Sequence, residues 1–86
     1  GENGLLYIIS AEGMLITHTS KKEVYQNPEY YKYDYIKRIL KEKEGSFIKN
    51  GDTLLSFSAS DYSWVTIIEI PLKEALQSVE EEKNTI

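Results

Sequence analysis

The sequence predicts an α+β fold: one five-stranded antiparallel sheet in the order 2-1-5-4-3, with a helical excursion between its second and third strands and a helix after its fifth. Three observations lead there. Short apolar or β-branched runs recur with turn residues between them, as in a meandering sheet. An amphipathic stretch opens at Asp34, and Pro71 stands where the last apolar run gives way to a helical pattern. Two of the runs, Leu5 to Ser10 and Trp64 to Ile70, are apolar on both faces, which suits strands with a neighbour on each side.

Taken in order, Leu5 to Ser10 is followed by the turn residues Ala11-Glu12-Gly13 and then by Met14 to His18, a hairpin. From Thr19 to Tyr33 no period holds, but Asn27 followed by Pro28 predicts an N-cap and the first turn of a short helix. Asp34 is expected to cap a better helix, with Ile36, Ile39 and Leu40 on one face, lysine and arginine on the other, and Gly45 as its stop. Ser46 to Lys49 and Thr53 to Ala59 flank Asn50-Gly51-Asp52, and Asn-Gly between strand-like runs is a strong hairpin signal. Ser60-Asp61-Tyr62-Ser63 makes the next turn, and Trp64 to Ile70 runs up to Pro71. Leu72, Leu76, Val79 and Ile86 then give the final helix one apolar stripe, by which it is expected to dock on the sheet. Glu80, Glu81 and Glu82 charge its far end, and it is expected to fray near Asn84. The short run Ser46 to Lys49 suits an edge, and the two hairpin groups meet through the doubly apolar strands, which gives the order 2-1-5-4-3 with helices and loop over the faces.

Composition narrows the function classes. Eighty-six residues make one domain with a lean core, and 41% hydrophobic with 28% charged residues is a globular balance, not that of a disordered chain. A net charge of −4, with Lys21, Lys22, Lys37, Lys41 and Lys43 interleaved with acids, argues against nucleic acid as a partner. With no cysteine, thiolate chemistry, disulfides and cysteine zinc sites drop out. No apolar run approaches a membrane span, and the N-terminus lacks the basic-then-apolar order of a signal peptide. One histidine and no glycine-rich phosphate loop leave no recognisable catalytic set, so the chain is not expected to be an enzyme, and no cofactor or metal is expected.

Two stretches carry a family resemblance. Tyr7-Ile8-Ile9-Ser10-Ala11-Glu12-Gly13-Met14-Leu15-Ile16-Thr17-His18 is similar to the opening hairpin of the PAS-like Cache domains, the extracellular sensor modules of bacterial receptors, although Ser10 stands where that family usually has Asp. Trp64-Val65-Thr66-Ile67-Ile68-Glu69-Ile70-Pro71-Leu72 resembles the family's closing strand, in which a tryptophan opens an apolar run and a proline starts the exit helix. The resemblance covers nearly the whole chain. It implies a module outside the membrane in a chemoreceptor, sensor histidine kinase or related regulator, with the helix from Pro71 running toward a membrane span. The family's long first helix is missing, which fits the membrane-proximal half of a tandem Cache domain. Gly1 fits a piece excised from a longer receptor, joined to its membrane by flanking helices. The missing helix would leave one sheet face bare, and a homodimer is expected in concentrated solution.

The resemblance also says where a ligand would sit, because Tyr25, Tyr30, Tyr31, Tyr33 and Tyr35 fall in the segment that roofs the pocket of Cache domains. Aromatic bodies with polar tips suit an amino acid, a carboxylate or a sugar, but they equally suit covering one face of a small sheet. The candidate ligand residues are therefore His18, Tyr31, Tyr33, Tyr35, Ser56, Ser58 and Trp64, each with a packing or surface alternative. Trp64 is weighed chiefly as core. The leading expectation is an extracytoplasmic sensory input module that binds a small ligand or relays a signal from a neighbouring module. A cytoplasmic PAS-like dimerisation module without ligand is the competitor.

Overall fold

A computed structural model describes residues 4–77. Five strands form one antiparallel sheet: β1 (Leu5–Ile9), β2 (Leu15–His18), β3 (Glu44–Lys49), β4 (Thr53–Ala59) and β5 (Val65–Pro71), in the order β2-β1-β5-β4-β3. Between β2 and β3 lie α1 (Lys21–Gln26), a 3₁₀ turn over Tyr30–Lys32 and α2 (Asp34–Glu42). Residues 72–77 are helical and follow β5 without a loop; we call them α3. The sheet order, the excursion and the exit helix agree with the sequence, and β5 is the central strand while β3 lies at an edge.

Side-chain alternation sorts the sheet into two faces. Tyr7 and Ile9 of β1, Leu55 and Phe57 of β4, and Val65, Ile67 and Glu69 of β5 face the excursion and are buried. Ile36 and Ile39, one turn apart on α2, close over them with no exposed area. The other face carries Leu6, Ile8, Leu54, Ser56, Ser58, Thr66, Ile68 and Ile70, and Leu6 and Ile68 stay 48% and 42% exposed. Among the described residues, then, one face is covered and the other is open.

A bulge in β2 explains how both its ends reach the core. Ile8 pairs with Thr17 but Ile9 pairs with Leu15, so Ile16 is the extra residue. Leu15 and His18 are three apart, an odd spacing that would place them on opposite faces of a regular strand; the bulge turns both inward. The preceding turn is held by Ser10, whose Oγ accepts the Met14 N–H at 3.1 Å and the Glu12 N–H at 3.3 Å.

Gly13 sits in that turn at φ +85°, and a Cβ there would lie 2.7 Å from Tyr31 Cβ and 3.0 Å from Tyr31 Cα. Gly13→Ala therefore combines left-handed strain with a clash against the excursion, and is expected to cost on the order of 2–4 kcal/mol in urea denaturation. Gly51 has φ +74° but nothing within 4 Å, so Gly51→Ala meets the strain alone, about 1 kcal/mol. Equal losses in the two variants would show that the Gly13 contact with Tyr31 does not matter.

Several local expectations are corrected. Asn27 is the C-cap of α1, not an N-cap, and Pro28 precedes only the 3₁₀ turn; α1 itself lies in the stretch Thr19 to Tyr33 that shows no period, because it is short and buries no residue. The N-cap of α2 is Tyr33, and Asp34 is its first residue. That helix stops at Glu42 because Lys43 takes φ 70° and donates its N–H to Ile39 O, so the left-handed cap comes before Gly45, which already belongs to β3. Trp64 is not core: it precedes β5 and is 44% exposed. Leu76, assigned to the docking stripe of the final helix, is 57% exposed. Val79, Glu80, Glu81, Glu82, Asn84 and Ile86 lie outside the described residues.

Candidate functional site

The covered face of the sheet carries a polar and aromatic network that ends in an open cleft. Its anchor is Glu69, 6% exposed in the middle of the sheet. A buried carboxylate is costly unless it is paired and hydrogen-bonded. Glu69 has both forms of support: Tyr7 donates its hydroxyl proton to Oε2, and Lys49 Nζ lies 2.6 Å from Oε1. Lys49 reaches Glu69 from the end of β3, and its ammonium stands 4.5 Å from the centre of the Tyr35 ring.

From Tyr7 a chain of rings runs in both directions. His18 stacks on Tyr7 with centroids 5.1 Å apart, and its Nδ1 accepts the Ser20 N–H at 2.8 Å, which fixes the ring at the start of α1. Tyr30 meets Tyr7 edge-on at 5.4 Å and donates its hydroxyl to Glu23 Oε2 at 2.6 Å. Tyr33 stands edge-on to Tyr30 at 5.3 Å and stacks on Tyr35 at 5.5 Å, while its hydroxyl accepts Asn27 Nδ2 at 2.6 Å. The excursion therefore covers the sheet largely with tyrosine, whose hydroxyls find partners where its rings are buried.

The cleft has a volume of about 710 Å³ and lies where the entry of α2 meets β3. Tyr33, Asp34, Tyr35 and Arg38 form one wall, and Phe47, Ile48, Lys49 and Asn50 the other. Arg38 lies over the Phe47 ring at 4.1 Å and pairs through Nε with Glu42 at 2.6 Å. Two cations and three rings with one acid, Asp34, suit a ligand with a flat or apolar body and an anionic group.

Of the candidate residues, only Tyr33 and Tyr35 come together in the cleft. His18 is buried behind Tyr7. The backbone of Tyr31 lies against the Gly13 turn and the residue is 42% exposed, and Trp64 stands at the end of β5 away from Lys49. Ser56 and Ser58 are on the open face, where with Thr66 and Ile68 they line a groove of about 170 Å³, so the expected pocket joining them to the tyrosines does not form. Tyr7, Arg38, Lys49 and Glu69 escaped the sequence reading. Alternation could have found two of them, since Glu69 shares the phase of Val65 and Ile67, and Tyr7 that of Ile9.

Burial makes three phenols harder to ionise. Desolvation, then the bond to Glu69, raises Tyr7; desolvation, then Glu23, raises Tyr30; desolvation pushes Tyr35 up to about 12. An unfolded tyrosine ionises near pH 10. Above that pH the unfolded chain sheds these protons while the fold retains them, so their contribution is complete below pH 10 and falls as pH rises toward about 12 and beyond. Urea midpoints are expected to drop steeply over this interval, and less steeply in Tyr30→Phe. Equal slopes in both proteins would contradict the burial of that phenol.

Comparisons with protein-family models, curated proteins and solved structures found no match to the chain.

Proposed function

We propose that the chain is an extracytoplasmic sensory input module of a bacterial transmembrane signalling receptor, similar to the membrane-proximal half of a tandem Cache domain. In this reading the cleft takes a small amino acid, carboxylate or sugar, or a neighbouring module presses on it, and α3 carries the resulting shift toward the membrane. One observation supports the reading above the others: Lys49 lines the cleft and also holds Glu69, two residues before Pro71 in the central strand. The same end of the sheet is tied to the exit, because the Leu72 N–H donates to Asp52 O at 2.8 Å across the β3–β4 turn. A ligand anion that draws Lys49 aside leaves Glu69 with a weaker claim on its buried place, and the strand entering α3 must adjust. Such a coupling needs two arrangements of similar energy, which Lys49 can supply because its long side chain comes from the edge strand and can carry its charge either to buried Glu69 or toward water.

The experiment is a thermal-shift screen of amino acids, carboxylates and sugars against wild type and Lys49→Met. A compound present at a hundred times its Kd should stabilise wild type by about 2.7 kcal/mol, and an anionic one should lose most of that effect in Lys49→Met. Membrane spans on both sides of this segment in its parent coding sequence would agree. Their absence, with no stabilising compound, would overturn the reading.

The open face supports a second reading, a cytoplasmic PAS-like dimerisation module without ligand. Leu6, Ile48 and Ile68 expose 48%, 53% and 42% of their surface. Light scattering at rising concentration tests this reading with Ile68→Lys: a dimer that this variant dissolves supports it and monomer throughout removes it, while flanking membrane spans in the parent coding sequence separate it from the receptor module, for which a dimer is also expected.

A further inference from the structure

We infer that the cleft is an edge groove that takes an extended peptide as a sixth strand on β3. The first observation is which β3 residues line it. Phe47, Ile48 and Lys49 are consecutive, and in a strand consecutive side chains point to opposite faces; Phe47 and Lys49 share the covered face with Leu55, while Ile48 shares the open one with Leu54. A cleft that touches all three reaches the margin of the strand, where the backbone runs between its two sets of side chains.

The second observation concerns that backbone. β3 is the last strand of the sheet, and among the described residues it pairs with β4 alone. Its outward N–H and C=O groups recur with a spacing that another extended chain matches, and pockets beside such an edge read alternate side chains. The far wall is the start of a helix, so the groove lies between an edge strand and a helix, one of the recurring settings for strand addition. Charged side chains at both ends of β3, Glu44 and Lys49, discourage indiscriminate pairing and leave Ser46 to Ile48 as the receptive centre.

Charge and shape specify the occupant. Arg38 and Lys49 reach the groove, and its one acid, Asp34, has Lys37 3.7 Å away. Each cation already has an acidic partner, so a peptide carboxylate would share it. On the covered side an added strand meets Tyr35, Phe47 and these cations; on the open side it meets Ile48, 53% exposed. The partner is therefore an extended segment with aliphatic side chains at alternate positions and a carboxylate facing α2. This inference rests on the margin of β3 and does not require the sensory reading, so each can fail without the other.

The test uses the isotope-labelled full chain and a short acetylated, amidated peptide of alternating valine and threonine with one central glutamate. At millimolar peptide, shift changes are expected at Ser46, Phe47, Ile48 and Tyr35, with slowed amide exchange in β3. An added strand presents only one of its two alternating sets of amides to β3. N-methylation of that set should weaken binding at least about tenfold, and N-methylation of the other should leave it nearly unchanged. Arg38→Gln should weaken binding about threefold to tenfold. Equal binding by both methylated peptides would overturn the inference, as would shifts confined to Leu6 and Ile68. So would no response to peptide at β3 while acetate or benzoate perturbs Tyr35 and Lys49, an outcome that would still agree with a small-ligand sensor.

Discussion

Glu69→Leu is expected to destabilise the chain by about 2–4 kcal/mol, a large effect for one residue on a sheet. Two losses add. Tyr7, 1% exposed, loses the carboxylate that accepts its proton and keeps only the neighbouring Tyr35 hydroxyl, and a buried donor left poorly satisfied costs roughly 1–3 kcal/mol. Lys49 is left with an ammonium over Tyr35, and its side chain is only 20% exposed. Breaking a fully buried pair costs about 3–5 kcal/mol, but Lys49 can swing its charge toward water, which lowers the share due to it. The contrast that identifies the mechanism is Tyr7→Phe, Lys49→Met and Glu69→Leu together. Replacing a whole buried polar group by apolar side chains is often neutral or stabilising, so the triple variant should regain most of the loss. A triple variant that is less stable than Glu69→Leu would mean that shape, not polar pairing, governs this part of the core.

Ile67→Ala should be at least as damaging, about 3–4 kcal/mol, with a fall in Tm on the order of 15 °C. Ile67 has no exposed area in the central strand, between Tyr7 of β1 and Phe57 of β4. A cavity there cannot be filled from the open face, because the sheet backbone intervenes, and small domains begin with little stability in hand. Leu76→Asp is the matched control. At 57% exposure its effect on stability is expected to stay within about 0.5 kcal/mol, although periodicity alone puts Leu76 on an apolar stripe. Denaturation that ranked Leu76→Asp with Ile67→Ala would contradict this assignment of the core.

The contrast between Ile67 and Leu76 also shows which features were legible in the sequence. Strand order could be read because the runs containing Tyr7 and Ile67 are apolar in both phases and take places with a strand on each side, although the phase of Leu6 and Ile68 stays open. The Asn50-Gly51 turn was equally legible, both residues taking positive φ. Trp64 misled because a large aromatic next to Val65 continues the apolar run, whereas the turn through Ser63, at φ 63°, delays the strand by one residue. The cleft was hidden for a different reason. Its key contact joins Lys49 to Glu69 across a strand that lies between them in the sheet, and no local pattern encodes a partner twenty positions away. Tyr33 and Tyr35 were found because aromatic clustering is local. Ser56 and Ser58 were assigned by resemblance, and the parity of β4 turns them to the open face.

The coupling from cleft to exit helix is tested most directly by amide exchange at Leu72, whose N–H is held by Asp52. In Lys49→Met this amide should exchange faster by a larger factor than those of Ile9 and Val65, whose rates report only the global stability lost when Glu69 is left without its cation, because the pair that ties the cleft to the central strand is gone. An unchanged rate at Leu72 in a variant that is otherwise folded would separate the cleft from the helix and remove the basis for a relay.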